Sequence, residues 1–326
     1  MKHNLKITLL IISMFVVTQF IGLYVINSDP FHVQVTQSDG TVTSVANPDL
    51  QWIEPPQVQT QSDFGAYLGS IIFAFIIAIL ILFLLTKFKI DFILRIWFFL
   101  VVAIALFITF NAVFPKQLLS NSLYFTIPAL ILAVGLAFLK IFKRNFIIHN
   151  LTELLIYPGI STMFVPILNF WSIIILLLVI SAYDIWAVWH SGIMQKMAKY
   201  QINNLKVFSG FFVPYISKKM RKQMRKLRKN KKLKSKKIKV NIAILGGGDV
   251  IFPIITAGVI LNTNIGLPFG LHNFVGGFWP AIFVIAGATL GLSLLLAFSE
   301  KKKFYPAMPF ITSGIFLGLI LSYLLL

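Results

Sequence analysis

Apolar residues in this chain run in blocks of about twenty, and short polar or charged stretches separate them. A helix needs about 20 predominantly apolar residues to cross a hydrocarbon layer of ~30 Å. Nine blocks meet that length, at roughly 7–26, 64–86, 92–114, 122–142, 147–167, 169–190, 238–262, 276–298 and 306–326. The expected fold class is an all-α polytopic membrane protein with nine transmembrane helices. Glu153, Pro158, Gly159 and Pro166 interrupt the fifth block, and such breaks are tolerated where neighbouring helices or water satisfy the backbone. The first block has the basic start of a signal peptide. Its apolar core is too long for an ordinary one and no small-residue cleavage pattern follows, so a retained first span is expected.

The polar stretches divide the chain. Residues 1–190 hold six spans and a polar outer loop, 27–63, expected to form a small hairpin or to stay disordered. Residues 191–237 form a basic cytoplasmic loop, and residues 238–326 hold the last three spans. Lysine and arginine alternate between the linkers. They precede span 1 (Lys2, Lys6), follow span 2 (Lys87, Lys89), follow span 4 (Lys140, Lys143, Arg144), follow span 6, and precede span 9 (Lys301–Lys303). Of the remaining linkers, only the one between spans 3 and 4 holds a basic residue, Lys116. Cationic linkers stay on the cytoplasmic side, which predicts a cytoplasmic N-terminus and an extracytoplasmic C-terminus.

Composition agrees. Of 326 residues, 58% are hydrophobic and 12% charged, against about 25% charged in soluble domains. The formal net charge of +19 could suggest nucleic acid, but 17 of the 29 Lys and Arg lie between Lys196 and Lys239, directly between two spans. That position predicts a topology signal and a contact with anionic lipid, and no nucleic-acid partner. Cysteine is absent, which removes disulfides, thiolate metal sites and a cysteine nucleophile.

Charge also marks the candidate chemistry. Of ten acidic residues, Asp184 and Asp249 alone sit well inside long apolar runs, in spans 6 and 7. An ionisable group in hydrocarbon costs roughly 2.5–3.5 kcal/mol on insertion scales and marks function by default. Counted along the helices, Asp184 lies about 9 Å and Asp249 about 15 Å from the cytoplasmic ends of antiparallel neighbours, so the two carboxyls can face each other. Close carboxyls share a proton, and such a pair can activate water against a peptide carbonyl without a metal or a cofactor. Gly246, Gly247 and Gly248 precede Asp249. Three successive glycines loosen a helix and admit another backbone, which an extended substrate could meet by strand addition. Span 9 opens with Pro306-Ala307-Met308-Pro309 at a similar depth.

Tyr183-Asp184 in span 6, Gly246-Gly247-Gly248-Asp249 in span 7 and Pro306-Ala307-Met308 at span 9 together resemble the presenilin and signal peptide peptidase family, the GxGD intramembrane aspartyl proteases. The third motif departs from the family's Pro-Ala-Leu at Met308, a volume-conserving change. Pro253 looks more like the signal peptide peptidase branch, whereas the predicted orientation looks like presenilin. The resemblance implies that Asp184 and Asp249 are the catalytic pair. It implies that Gly246, Gly247, Gly248, Pro306, Ala307 and Met308 shape a substrate groove and that Tyr183 lines it. It implies transmembrane helical peptides or signal peptides as substrates, no metal or cofactor, and, from the compact size shared with microbial homologues, no obligatory partner subunits. The protein would be a multi-pass protein of the cell membrane.

Two other classes fit the same chain. A proton- or cation-coupled transporter would employ the aspartates as a relay beside the broken fifth span. A helix-binding scaffold would not need the carboxyls. No His-Glu-x-x-His or Gly-x-Ser-x-Gly pattern offers another hydrolytic chemistry.

Overall fold

The computed structural model describes residues 5–36, 41–56, 58, 61–88, 91–114, 123–143, 145–191, 208–215, 241–265, 274–299 and 305–326. Among them are nine α-helices: α1 (Leu5–Asn27), α2 (Gln61–Phe88), α3 (Asp91–Val113), α4 (Leu123–Phe142), α5 (Phe146–Phe164), α6 (Phe170–Ile185), α7 (Gly247–Leu261), α8 (Phe278–Phe298) and α9 (Met308–Leu325). Three two-stranded antiparallel sheets accompany them: β1 (His32–Thr36) with β2 (Val42–Ala46), β3 (Gly210–Tyr215) with β4 (Asn241–Gly246), and β5 (Asn264–Ile265) with β6 (Phe274–Val275). The protein is thus mostly helical rather than all-α. Six described segments are long and apolar enough to cross a membrane: α1, Ser62–Ile81, Phe92–Val113, Phe170–His190, α8 and α9. Thr126–Phe142 and α7 are shorter apolar helices. The basic residues between Lys196 and Lys239 lie outside the described residues.

Apolarity does not separate inside from outside here, because lipid is as apolar as a core. On α1 the buried stripe is Thr8, Ile11, Phe15, Thr18, Gln19, Gly22 and Ile26, at helical spacing, while Leu9, Val17, Phe20 and Tyr24 remain exposed. Small and polar residues mark the packed face, as membrane helices require. One core joins α1, α5, α6, α7, α8 and α9 with β3 and β4. A second joins α3, α4 and part of α5 with Phe31 and Leu50 from the hairpin region. Helix α7 is buried along most of its length.

Glycines bring α8 and α9 into backbone contact. A Cβ on Gly287 would strike the carbonyl of Gly314, one on Gly314 the carbonyl of Gly287, and one on Gly318 the carbonyl of Phe283. Backbone cannot yield as a side chain can. Gly287→Val is therefore expected to push the two helices apart and to destabilise the protein by at least about 1–3 kcal/mol. A thermal midpoint equal to that of the native protein in detergent would contradict this packing.

The seventh expected span differs from its reading as a helix over 238–262. Residues 241–246 form β4, and α7 begins only at Gly247. Fifteen helical residues reach about 22 Å, short of the ~30 Å hydrocarbon layer. Three glycines are poor helix formers, and β3 supplies the backbone partners that a helix would otherwise provide.

Candidate functional site

Asp184 is the penultimate residue of α6, followed by a π-helical turn, Trp186–Ser191. Its side chain is buried and reaches the start of α9. The Met308 N–H donates to Asp184 Oδ2 at 3.0 Å, and the Ala307 N–H also interacts with this carboxyl. The first N–H groups of a helix lack intrahelical partners and carry partial positive charge, so an acid from a neighbouring helix satisfies them. Pro309, with no N–H, occupies the first turn where none is needed. On α6 and α9 the hydroxyls of Ser181 and Thr312 bond at 2.9 Å, fastening the helices just beyond Asp184.

Asp249 is the third residue of α7. Gly246 is the N-cap, so Asp249 holds the position whose carboxyl can turn back to the N-cap N–H. The Gly246 N–H interacts with it, and a Cβ on Gly246 would lie 3.1 Å from Asp249 Oδ2. Pro253 has no N–H to bond the Asp249 carbonyl four residues earlier. From α1, buried Gln19 donates through Nε2 to the Val250 carbonyl at 3.0 Å. The two carboxyls are close enough for their charges to interact. The structure thus brings Asp184, Asp249, the glycine run and the buried Pro306-Ala307-Met308 segment to one end of three helices.

The glycines are not equivalent. A Cβ on Gly247 would meet Ser209 Oγ at 2.8 Å and Tyr157 Oη at 2.9 Å, whereas on Gly248 its nearest contact would be Phe252 at 3.8 Å. The first is required by the protein's own atoms. The second borders open space on the exposed side of the turn. Tyr183 turns toward α2, packing edge-on against Phe75 at 5.3 Å between ring centres and lying 6.2 Å from Trp186.

Among the described residues, the strand leading to Asp249 has one unpaired edge. The backbone of Phe212 on β3 bonds the side chain of Asn150, with Asn150 Nδ2 donating to the Phe212 carbonyl at 2.9 Å and the Phe212 N–H to Asn150 Oδ1 at 3.1 Å. Successive residues of a strand direct their backbone groups to opposite edges, so Phe211 and Val213 face β4, opposite Leu245 and Ala243. Ile244 consequently directs its N–H and C=O away from β3. Among the described residues no backbone group meets that edge, and the Ile244 side chain is 43% exposed.

Sequence reading did not single out Tyr157, Ser209 or Gln19, and it took Glu153 only as an interruption of the fifth block. Glu153 is in fact 1% exposed in mid α5, and its Oε1 pairs with Lys140 Nζ of α4. The Tyr157 hydroxyl lies beside Glu153, Ser209 and Asp249, yet among the described residues neither it nor Glu153 Oε2 has a partner in hydrogen-bond geometry. The one signal in the sequence was the polar run His149-Asn150 with Glu153 four residues beyond His149, in the least apolar span.

A family model described as signal-peptide peptidase, presenilin aspartyl protease matches residues 39–326. No curated protein matches. Two solved structures share the fold. A presenilin family intramembrane aspartate protease in a C222 crystal form is 16% identical, covers 98% of this chain and 99% of its own, and superposes with a TM-score of 0.57. A presenilin family intramembrane aspartate protease in a P2 crystal form is 17% identical, with 97% of each chain covered and a TM-score of 0.53.

Proposed function

The chain belongs to the signal-peptide peptidase and presenilin aspartyl protease family, an intramembrane aspartic endopeptidase and multi-pass membrane protein, and on that premise we propose that Asp184 and Asp249 are its catalytic dyad. The observation that carries the proposal is the meeting of the α6 end, the α7 start and the α9 start around two buried carboxyls. One carboxylate takes a proton from water as the water oxygen bonds to the scissile carbonyl carbon. The other carboxyl gives its proton to the carbonyl oxygen. The tetrahedral species then collapses, the C–N bond breaks, the nitrogen gains a proton, and a new acid and amine leave. Substrates are transmembrane segments of membrane proteins or signal peptides. They unwind and add as a strand to the Ile244 edge of β4, bringing their backbone past Gly248 toward Asp249. The nine helices span the membrane with the N-terminus cytoplasmic, the basic 196–239 segment contacts anionic lipid, and no partner subunit is needed.

The test is cleavage of a model transmembrane peptide by the purified protein, with cut positions read by mass spectrometry. Asp184→Ala and Asp249→Ala should each stop it, and full activity in either overturns the assignment. Gly248→Ala provides a test of the groove. A methyl there meets nothing closer than 3.8 Å, so the variant should keep its thermal midpoint while losing about tenfold or more in cleavage if substrate backbone occupies the space. Unchanged cleavage would move the substrate elsewhere.

A further inference from the structure

The edge of β3 away from β4 is closed by α5. Asn150 pairs with both backbone groups of Phe212, as a neighbouring strand would. His149 Nε2 lies 2.8 Å from the Gly210 carbonyl. A carbonyl only accepts, so Nε2 carries the hydrogen, and in the neutral ring Nδ1 is left as an acceptor. Lys140 Nζ, 3.4 Å from Nδ1, is the donor facing it. Lys140 also donates to Glu153, so one cation serves both groups and fixes the ring in the form that can hold β3. Packing agrees, with the His149 and Phe212 rings 4.5 Å apart. Gly210 itself has φ of +144°, a conformation open to glycine, so its carbonyl is delivered by a backbone shape few other residues adopt.

These contacts set where the sheet stands. β3 is hydrogen-bonded to α5 on one side and to β4 on the other, and β4 runs directly into the turn that bears Asp249. We propose that His149 and Asn150 are positioning residues which, through β3, fix the register at which a substrate strand meets the aspartates and so select the bond that is cut. This rests on strand addition to β4 as the mode of substrate binding. The same clamp denies the far edge of β3 to the substrate, leaving it the edge beside Asp249. Lys140, facing Nδ1, and Glu153, whose Oε1 lies 3.5 Å from Nε2, flank the ring and hold His149 as a donor.

The experiment compares the native protein with Asn150→Leu, His149→Leu and His149→Gln on one transmembrane peptide, scoring every product by mass. Glutamine can present an N–H near the place of Nε2; leucine cannot. Asn150→Leu and His149→Leu should lower the ratio of the main cut to displaced cuts roughly tenfold, the factor ordinary hydrogen bonds supply. The displaced cuts should favour steps of two residues, which keep the same faces of the strand. His149→Gln should restore the single main cut. Leucine variants that cut only the native bond, at whatever rate, overturn the proposal. Amide hydrogen exchange in the native protein decides the matter even if a variant does not fold. Phe212, bonded to Asn150, should exchange as slowly as Phe211 and Val213, and fast exchange at Phe212 overturns the clamp. A native protein that cuts no peptide would instead sink the proteolytic reading of the dyad, while the exchange result would still report on the clamp.

Discussion

Asparagine at position 184 or at position 249 should leave a folded protein with peptide cleavage reduced by about 10²–10⁴-fold or more, since each carboxyl supplies general acid or base catalysis. Asparagine is the sharper probe. At position 184 its amide oxygen can still accept the Met308 N–H that Asp184 Oδ2 now accepts at 3.0 Å. Alanine would orphan that buried donor at about 1–3 kcal/mol, confusing lost chemistry with lost structure. The double variant should be no slower than either single one, because residues acting as a unit are not additive. The measurements are single-turnover cleavage and the thermal midpoint in one detergent. A double variant slower than the singles by the product of their factors would mean that the aspartates act separately, and the shared-proton mechanism would fail.

The helices were legible because the hydrocarbon layer imposes one length on every crossing segment. The fifth block, expected over 147–167, appears as α5 with a short 3-10 extension, Val165–Ile167, and the sixth as α6 with its π turn. Asp184 and Asp249 were legible because charge inside an apolar run is rare. What stayed hidden depended on partners distant in sequence. β4 reads as part of an apolar helix until β3, some thirty residues earlier, is known to pair with it. Asn169, a single polar residue at the start of the sixth block, caps α6 by accepting from the Ser172 N–H. Glu153 looked like a break in a weak span because its cation stands on a different helix. A hydropathy window averages such a residue away. The local setting of Asp249 was hidden for a related reason: counting helical rise from Ile238 treats a strand as a helix, whereas Asp249 stands in the first turn of α7.

The Lys140–Glu153 pair should behave in opposite ways when broken and when replaced. The side chains are 3% and 1% exposed, so removing one partner leaves a charge buried without its counter-ion. Lys140→Met and Glu153→Leu are each expected to destabilise the protein by about 3–5 kcal/mol. Together they replace the pair by apolar groups of similar bulk, and the double variant should lie near the native stability or above it. Among the described residues Glu153 Oε2 has no partner in hydrogen-bond geometry, although the Tyr157 hydroxyl lies beside it, so the native pair is incompletely satisfied and its desolvation is not fully offset. The stability cycle, run by thermal or denaturant unfolding in one detergent, should give a coupling of several kcal/mol. Additive single effects would show that the two charges do not depend on each other. The double variant also separates stability from selectivity. It removes both charged groups that flank the His149 ring, Lys140 Nζ at 3.4 Å from Nδ1 and Glu153 Oε1 at 3.5 Å from Nε2, and replaces them with apolar bulk between the helices. If the cation serves to hold the ring that grips Gly210, this well-folded variant should cut displaced bonds as the His149→Leu variant does. If the pair serves only to join α4 to α5, it should cut the native bond alone.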